Sequence, residues 1–324
     1  MRTGVAGCVD TGGSRAYDAL DPPDVLLVPA HTVPWIHPAR TVVVIHGLEF
    51  ETCPEAYPEL SRQMMRFFVR RSCQWASTLI AVSESTKRDV VRLYRVPETK
   101  IHVVHEGVNT PGVARHDFIT HDVTLQDPVV TSEGYSSSET RPYFLFVGRL
   151  ERRKNIVRMI HAFRLFKKRC GTKHQLLLAG KPGYGYADIV AVRKGVADSS
   201  DIIELGYVSE EKKWTLLQNA DAFLFPSLAE GFGLPVLEAG ALGVPALISD
   251  IPALREVAGD GAVLADPLDV ESIAQGMERL ALDPMFRGGI IERGRANAAR
   301  FGWKRCAELV AQVLCKNKIP CITL

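Results

Sequence analysis

Two carboxylates, Glu230 and Glu238, flank a glycine-rich turn that follows an apolar run, with seven residues between them. Gly231, Gly233 and Pro235 lie in that interval and oppose a continuous helix, so we do not expect the two glutamates to share one helix face. Pro235 suits the first position of a helix, which predicts Glu230 on the preceding loop and Glu238 within the first turns. The pattern therefore indicates two acids that contact different parts of one ligand, not two acids that act on one bond.

The start of the predicted helix is the second chemical feature. The first amides of a helix have no carbonyl partner within it, and the positive end of the helix dipole attracts anions. Carboxylates beside a bound phosphate would accept hydrogen bonds from paired hydroxyls. Phosphate, sugar hydroxyls and ribose together describe a nucleotide sugar. The positions that we expect to contact it through their backbone are Gly231, Phe232, Gly233 and Leu234.

The composition limits the classes of protein to consider. The chain has 324 residues, 46% hydrophobic and 23% charged, which is enough for two globular domains. A net charge of +2 gives no reason to expect a nucleic-acid partner, and no apolar run approaches the ~20 residues that span a bilayer. The first residues lack the apolar core of a signal peptide, and the seven cysteines occur singly. These features predict a cytoplasmic protein with reduced thiols and no zinc site.

The second half of the chain alternates short apolar runs with helical patterns. The runs are continuous, as in parallel strands that are buried on both faces. The predicted strands are Tyr143–Val147, Gln175–Ala179, Ile202–Leu205, Ala222–Phe225, Ala246–Ile248 and Ala262–Leu264. Predicted helices cover Asn155–Arg169 and begin near Ser209, Pro235, Pro252 and Asp269. This order predicts a doubly wound α/β domain that binds ligands at the carboxyl ends of its strands.

The first half shows the same pattern less completely. Its predicted strands are Val25–Val28, Thr41–Ile45, Thr78–Val82 and Ile101–Val104, with helices near Glu59–Trp75 and Ser85–Tyr94. A last helix carries apolar residues on one face, at Trp303, Cys306, Leu309 and Val313. We therefore expect a first Rossmann-like domain over residues 1–120, a polar linker over 121–141, a second Rossmann-like domain over 142–300, and a closing helix with its tail over 301–324.

Several motifs resemble those of one family. They are Val-Val-Ile-His46-Gly, Ile80-Ala-Val-Ser83-Glu-Ser85, Phe-Val-Gly148-Arg149-Leu before Lys154-Asn155, and the string from Glu230 to Ser249. Together they resemble the retaining nucleotide-sugar glycosyltransferases of family 4 (glycosyl transferases group 1), most densely from Arg141 to Arg300. The resemblance implies the GT-B fold, in which two Rossmann-like doubly wound domains face each other across a cleft.

The resemblance assigns roles to the charged residues. It implies that Glu230 contacts the donor sugar near the reacting carbon and that Glu238 accepts hydrogen bonds from the ribose. It also implies that Arg149 and Lys154, beside Gly148, bind the diphosphate, where fixed positive charge stabilises the departing group. Such a pair of cations can replace a metal ion, and the chain has no Asp-x-Asp motif. We therefore expect neither a metal nor a cofactor.

These assignments have simpler alternatives. Glu238 could be only a favourable acid in the first turn of a helix, worth up to ~1 kcal/mol. The cations could belong to a solvated basic face, as we expect of the neighbouring Arg152, Arg153 and Arg158. Ser83 and Ser85 are expected to cap the helix that follows them rather than to contact a ligand.

His46 ends a predicted strand of the first domain. In the family, a histidine here lies against the donor sugar and is often followed by Asp, whereas Gly47 follows in this chain. The alternative is a hydrogen-bonded histidine without a ligand. Residues 106–109 are expected to form only a hinge-like turn. Family members usually have more strand–helix units before this histidine, so we expect the first domain to be incomplete, with Gly12 and Gly13 a remnant of its glycine loop.

The predicted helix Glu59–Trp75 carries arginines between large apolar residues. Arg62, Arg66 and Arg70 recur at four-residue spacing, interleaved with methionine and phenylalanine. Family members often touch anionic membranes through such a surface to reach lipid-linked acceptors, so peripheral membrane contact is one interpretation. An amphipathic helix with a solvated arginine face is the other.

These expectations describe a metal-independent enzyme that transfers a hexose, mannose or glucose, from a nucleoside-diphosphate sugar to a hydroxyl of a saccharide or lipid-linked acceptor, with retained configuration. The rival hypothesis is a non-catalytic nucleotide-sugar-binding subunit or an inactive fragment. An epimerase on the same fold is a weaker third hypothesis. An NAD dehydrogenase is disfavoured because no Gly-x-Gly-x-x-Gly follows a strand.

Overall fold

The computed structural model describes residues 23–109, 141–194 and 199–315. The predicted linker over 121–141, apart from its last residue, and the glycines at 12 and 13 lie outside these ranges. The described chain divides into two compact units. The first contains residues 23–107, 230–232 and 301–315, and the second contains the rest.

Ten strands and eleven helices are described, together with a few single-turn 3₁₀ helices. The strands are β1 Leu26–Val28, β2 Thr41–Ile45, β3 Thr78–Ala81, β4 Ile101–Val103, β5 Tyr143–Val147, β6 Gln175–Ala179, β7 Ile202–Gly206, β8 Ala222–Phe225, β9 Ala246–Ser249 and β10 Val263–Ala265. The helices are α1 Glu49–Thr52, α2 Glu59–Trp75, α3 Glu84–Tyr94, α4 Ile156–Cys170, α5 Tyr186–Lys194, α6 Glu210–Gln218, α7 Leu234–Leu242, α8 Pro252–Ala258, α9 Val270–Leu282, α10 Pro284–Ala298 and α11 Trp303–Cys315.

The first unit contains a four-stranded parallel sheet in the order β1-β2-β3-β4. One face packs against α2 and α3, with a core that includes Ile45, Leu79 and Val90. The other face presents Val42 and Ile80, and α11 covers it with the side chains of Cys306, Leu309, Val310, Val313 and Leu314. The predicted apolar face of the closing helix is therefore confirmed except at Trp303, which is 43% exposed. The structure groups this helix with the first unit.

The second unit contains a six-stranded parallel sheet in the order β10-β9-β8-β5-β6-β7. The strand order reverses between β5 and β8. In open α/β sheets, the crevice at the carboxyl ends of the strands at such a reversal is where ligands bind. Three of the six strands are buried along their whole length, which explains their continuous apolar sequences. The predicted doubly wound α/β architecture is confirmed.

Most predicted elements end within one residue of their observed bounds, but three helices were not predicted. In α10, Gly288, Gly289 and Gly294 weaken the helical pattern because glycine is a poor helix former. The Asp283 side chain, which accepts from the Phe286 amide, and Pro284 in the first turn fix the start of this helix. Tertiary packing of α10 against α7 then outweighs its weak propensity. The other missed helices are the short α1 and α5.

Candidate functional site

The backbone at the carboxyl ends of β5 and β6 is closely packed. The Gly148 amide donates to the Ala179 carbonyl at 2.9 Å, and the Gly180 amide donates to the Gly206 carbonyl at 2.7 Å. A Cβ atom on Gly180 would lie 1.8 Å from the Gly148 carbonyl oxygen, and its φ is +153°. Glycine is therefore required at position 180, and Gly148 lies at the crevice, where the sequence predicted a ligand.

Arg149 and Lys154 follow β5 and differ in their environments. The Arg149 side chain is exposed. Lys154 is 8% exposed, and its ammonium lies 4.4 Å from the centre of the Phe225 ring at the end of β8. Both predicted cations thus belong to the loop that leaves β5 at the crevice, and Lys154 is packed against the neighbouring strand. Such a buried cation is suited to binding an anion because little water competes with it.

Two side chains of this loop bind the backbone that follows β8. The Arg153 guanidinium donates to the Ala229 carbonyl at 2.8 Å, and the Arg153 carbonyl accepts from the Leu228 amide at 2.8 Å. The amide of the Asn155 side chain donates to the carbonyls of Pro226 and Pro267. The prediction that Arg153 is solvated is wrong: its side chain is 14% exposed and also pairs with Glu151.

Arg152 and Arg158, which were predicted to be solvated together with Arg153, are more exposed than Arg153 or bind a different partner. Arg152 is exposed and pairs with Asp188 at 2.6 Å. Arg158 is half-buried and donates to the Asn155 side chain at 3.1 Å. The prediction of a solvated side chain is therefore confirmed for Arg152, and Arg158 supports Asn155 from α4.

The turn that carries Glu230 is fixed by hydroxyl groups. Glu230 is half-buried, and the carbonyl of the next residue, Gly231, accepts from Ser83 at 2.6 Å and from Thr86 at 3.1 Å. A Cβ atom on Gly231 would lie 1.7 Å from the His46 carbonyl oxygen, so only glycine fits. Ser83 also caps α3 as predicted, by accepting from the Thr86 amide. Ser85 lies inside α3 and not at its cap.

Helix α7 begins at Leu234, one residue before the predicted start, and Gly233 precedes it with a φ of +114°. A side chain at this φ would be strained, and a Cβ atom would lie 2.6 Å from Leu254. The Phe232 side chain is buried and packs against His105 and Phe301. The Phe232 ring is therefore buried in a core and is not available to a ligand. The predicted anion contacts of residues 231–234 would be made by backbone amides.

Glu238 lies on α7 and forms an ion pair that the sequence did not reveal. Its Oε1 accepts from the Lys213 ammonium of α6 at 3.0 Å, and Lys213 also pairs with Glu210 at 2.9 Å. Burial raises the pKa of Glu238, and the Lys213 charge only partly offsets this. Burial opposes the charge of Lys213 too, but its two carboxylate partners outweigh burial and raise the pKa of Lys213.

His46 follows β2 in the first unit and has partners at both ring nitrogens. Nδ1 lies 2.9 Å from the Glu106 carboxylate, and Nε2 lies 2.7 Å from the Pro29 carbonyl. An ionised Glu106 carboxylate and the Pro29 carbonyl both accept hydrogen bonds, so the geometry favours the imidazolium form, which donates from both nitrogens. The hydrogen bond to Glu106 raises the pKa of His46. Residue 106 was predicted only as part of a turn, because no local pattern reveals a partner sixty positions away.

A second histidine accompanies His46. The rings of His31 and His46 meet edge to face with their centres 5.5 Å apart. Burial, helped by the His46 charge, lowers the pKa of His31 to about 4, so His31 is neutral where His46 is charged. His46 is therefore placed as the cationic member of a small polar cluster.

Three further observations concern metals, thiols and membranes. Within the described ranges, His, Cys, Asp and Glu side chains form no group of three that could hold a metal ion. The five cysteines of this part of the chain are not joined to one another by disulfides. Among the described helices, none is both long and apolar enough to cross a membrane.

Comparison with known proteins matches two family patterns. Residues 131–297, more than half of the chain, match the family described as "Glycosyl transferases group 1". Residues 13–111 match the one described as "Glycosyltransferase Family 4". Each unit thus contains residues that one of the two patterns matches.

Individual relatives agree with the family patterns. O-antigen chain mannosyltransferase B of Escherichia coli is 32% identical over 269 residues, which are 82% of this chain and 68% of that protein. The serotype-specific mannosyltransferase WbdA of Escherichia coli is 27% identical over 87% of this chain, which spans 34% of WbdA. The structure of Anabaena Alr3699/HepE in complex with UDP and glucose matches with a TM-score of 0.67 at 18% identity, covering 86% of this chain and 72% of that one. The chain has the GT-B fold and belongs to the glycosyl transferases group 1 family.

Proposed function

We propose that this protein transfers a hexose, mannose before glucose, from a nucleoside-diphosphate sugar to a hydroxyl of a saccharide or lipid-linked acceptor. The observation that carries the proposal is the crevice of the second unit, where Gly148, Arg149 and Lys154 follow β5 and Ala229, which precedes Glu230 in the chain, follows β8. The mannosyltransferases among the relatives support mannose, and the UDP and glucose bound to HepE support a nucleotide sugar as donor.

Each predicted site residue has a proposed role. Glu238, held by Lys213, accepts hydrogen bonds from the ribose. Arg149, Lys154 and the backbone of residues 231–234 bind the diphosphate, and Glu230 binds the sugar. Both ring nitrogens of His46 already have hydrogen-bond partners, Glu106 and Pro29. His46 can therefore contact the sugar only if a sugar hydroxyl replaces one of these two partners.

The proposed chemistry is transfer with retention and without a metal. Breaking the bond between sugar and diphosphate leaves negative charge on the departing oxygen, and the cations Arg149 and Lys154 stabilise that charge most where it is greatest, in the transition state. Front-face attack by the acceptor hydroxyl, whose proton passes to the departing phosphate, gives retention and needs no enzymic nucleophile. NMR of the newly formed anomeric centre tests retention, and an unchanged rate in EDTA tests independence from metal.

Two substitutions test the site. Glu230→Ala and Lys154→Ala should each reduce transfer at least about a hundredfold, because each removes a charged contact to the donor. Glu211→Ala and Lys168→Ala remove exposed charges on α6 and α4 and should leave the rate unchanged. The rate is followed by release of nucleoside diphosphate from a panel of mannose and glucose donors, with circular dichroism to verify folding. Wild-type rates in both site variants contradict the proposal, and donor binding without transfer supports a non-catalytic subunit instead.

We also place the protein at the cytoplasmic face of a membrane, through α2. Leu60, Met64 and Phe67 lie on this helix and are 76%, 54% and 57% exposed. Arg62 and Arg66 are paired with Glu59 and Glu51, and Arg70 is exposed, so the face combines large apolar side chains with one exposed arginine. Of the two interpretations of α2, this exposed face supports contact with a lipid surface and not a helix whose arginines are merely solvated. Sedimentation with phosphatidylglycerol vesicles tests this, and Phe67→Ser with Met64→Ser should weaken it.

A further inference from the structure

Arg71, near the end of α2, is a covered guanidinium without a carboxylate partner among the described residues. It is 7% exposed. Nη2 donates to the Val33 carbonyl at 2.7 Å, whereas Nε and Nη1 have no hydrogen-bond partner in the part of the chain that the structure describes. Burial alone lowers the pKa of Arg71. Aromatic rings near the guanidinium partly offset its loss of water, but two unused donors remain costly to keep out of water.

The cover over Arg71 is thin and aromatic. The guanidinium carbon lies 3.8 Å from the ring centre of Trp35 and 4.5 Å from that of Trp75. Trp35 belongs to the loop between β1 and β2 and is 66% exposed; its indole meets the Trp75 ring edge to face with the ring centres 5.5 Å apart. Trp75 lies on α2 beneath and is 37% exposed. Rotation of Trp35 alone would uncover the guanidinium, while Trp75 and Val33 would keep it in place.

Exposed apolar side chains adjoin Arg71, and the His37 ring stacks on Trp75. Ile36 beside Trp35 is 78% exposed, and Phe67, one turn before Arg71 on α2, is 57% exposed. A free inorganic anion would gain nothing from these side chains. An anion attached to an alkyl chain would gain both the guanidinium and the apolar surface.

We propose that Arg71 binds the phosphate group of a phosphate monoester with an apolar chain, with Trp35 as a displaceable lid. Phosphate has three strong acceptor oxygens around one atom and can reach guanidinium donors that point in different directions, whereas a carboxylate offers two oxygens on one edge. None of these residues is among the proposed donor contacts. The site is therefore additional to the one that would bind the nucleotide sugar.

The test is calorimetric titration of the full chain with octyl phosphate below its micellar concentration. Octyl phosphate should bind at least about tenfold more tightly than octanol, octanoate or inorganic phosphate. Arg71→Gln should weaken binding at least about tenfold, and Arg70→Gln, which removes the exposed neighbouring arginine, should change it less than about twofold. Equal binding of octanol, equal binding by Arg71→Gln, or no binding by the wild-type chain each overturns the proposal.

A second variant keeps Arg71 and removes the lid. Trp35→Ala should bind octyl phosphate more tightly than the wild-type chain does, because no indole must be displaced. If folded Trp35→Ala loses octyl phosphate binding, Trp35 forms the site instead of covering it and the proposal is wrong. The probe is soluble and no sugar is transferred, so failure here is separate from failure of membrane contact or of glycosyl transfer.

Discussion

Glu230 can act only if its turn holds the carboxylate at one place, since small displacements of a reacting group cost large factors in rate. The carbonyl of Ala229, on one side of it, accepts from Arg153. The carbonyl of Gly231, on the other side, accepts from the hydroxyls of Ser83 and Thr86. Side chains distant in sequence thus fix both neighbours of the residue that we propose to contact the sugar.

Thr86→Val tests this arrangement because valine keeps the shape of threonine without its hydroxyl. Ser83 would still donate to the Gly231 carbonyl, so we expect a loss of only about 1 kcal/mol in stability. Transfer should slow severalfold, with the loss in kcat and little change in KM for the donor. Thr86→Ser keeps the hydroxyl and should restore kcat. A fall in stability with an unchanged kcat would mean that the hydroxyl is structural only.

The pair of His46 and Glu106 predicts a pH dependence. Because the folded pKa of His46 is raised, its contribution to stability is complete below the pKa of the unfolded chain, about 6.5, and is lost as pH rises through the folded value. His31 opposes this: its pKa of about 4 makes the folded state lose stability as pH falls below about 6.5. Glu106→Gln should lower the pKa of His46, which NMR titration of its ring protons measures. An unchanged titration would contradict the assigned imidazolium.

At the scale of elements, the placement of Glu238 depends on how closely α7 approaches α10. A Cβ atom on Gly240 of α7 would lie 2.9 Å from the Gly294 carbonyl oxygen of α10. Gly288, also in α10, has no described heavy atom within 4 Å of the same added atom. Gly240 is therefore required by the close contact between α7 and α10, whereas Gly288 is not, so Gly288 serves as a control for substitution of Gly240.

Gly240→Ala should destabilise the second unit by about 1–3 kcal/mol because the helices must separate. Since α7 carries Glu238, the affinity for nucleoside diphosphate should also fall. Gly288→Ala should stabilise the protein by about 0.5–1 kcal/mol, because alanine restricts the unfolded chain and favours the helix. Calorimetric unfolding and titration with nucleoside diphosphates measure both effects. Equal unfolding temperatures for the two variants would show that the helix contact is not tight.

Strands and motifs could be predicted because their signals are local. Continuous apolar runs predicted the parallel strands, and the position of Gly148, Arg149 and Glu230 just after two of them predicted which sheet edge would carry the site. The ion pair of Lys213 with Glu238 and the hydrogen bond of Ser83 to Gly231 join residues 25 and 148 positions apart. No local pattern specifies such partners, since the fold alone brings them together.

At the scale of the whole molecule, neither compact unit is one continuous stretch of the chain. The chain leaves the second unit for residues 230–232 and again at residue 301, after which α11 packs on the sheet of the first unit. Arg40, just before β2, donates to the Leu314 carbonyl of α11 at 2.8 Å. The first unit is therefore completed by residues from the other end of the chain.

This dependence predicts a selective effect of substitutions in α11. Leu309 is half-buried against the sheet face that contains Val42 and Ile80, so Leu309→Asp would place a carboxylate against apolar side chains and should cost about 2 kcal/mol. Gln312→Asp places the same charge on the exposed face of α11 and should have little effect.

Hydrogen exchange followed by mass spectrometry should show faster exchange in β2 and β3 of Leu309→Asp, with β5, β6 and β8 unchanged. Because unfolding of a two-unit chain need not be two-state, local exchange distinguishes the units where a single melting temperature would not. Equal loss of protection in both sheets would contradict the view that α11 stabilises the first unit alone.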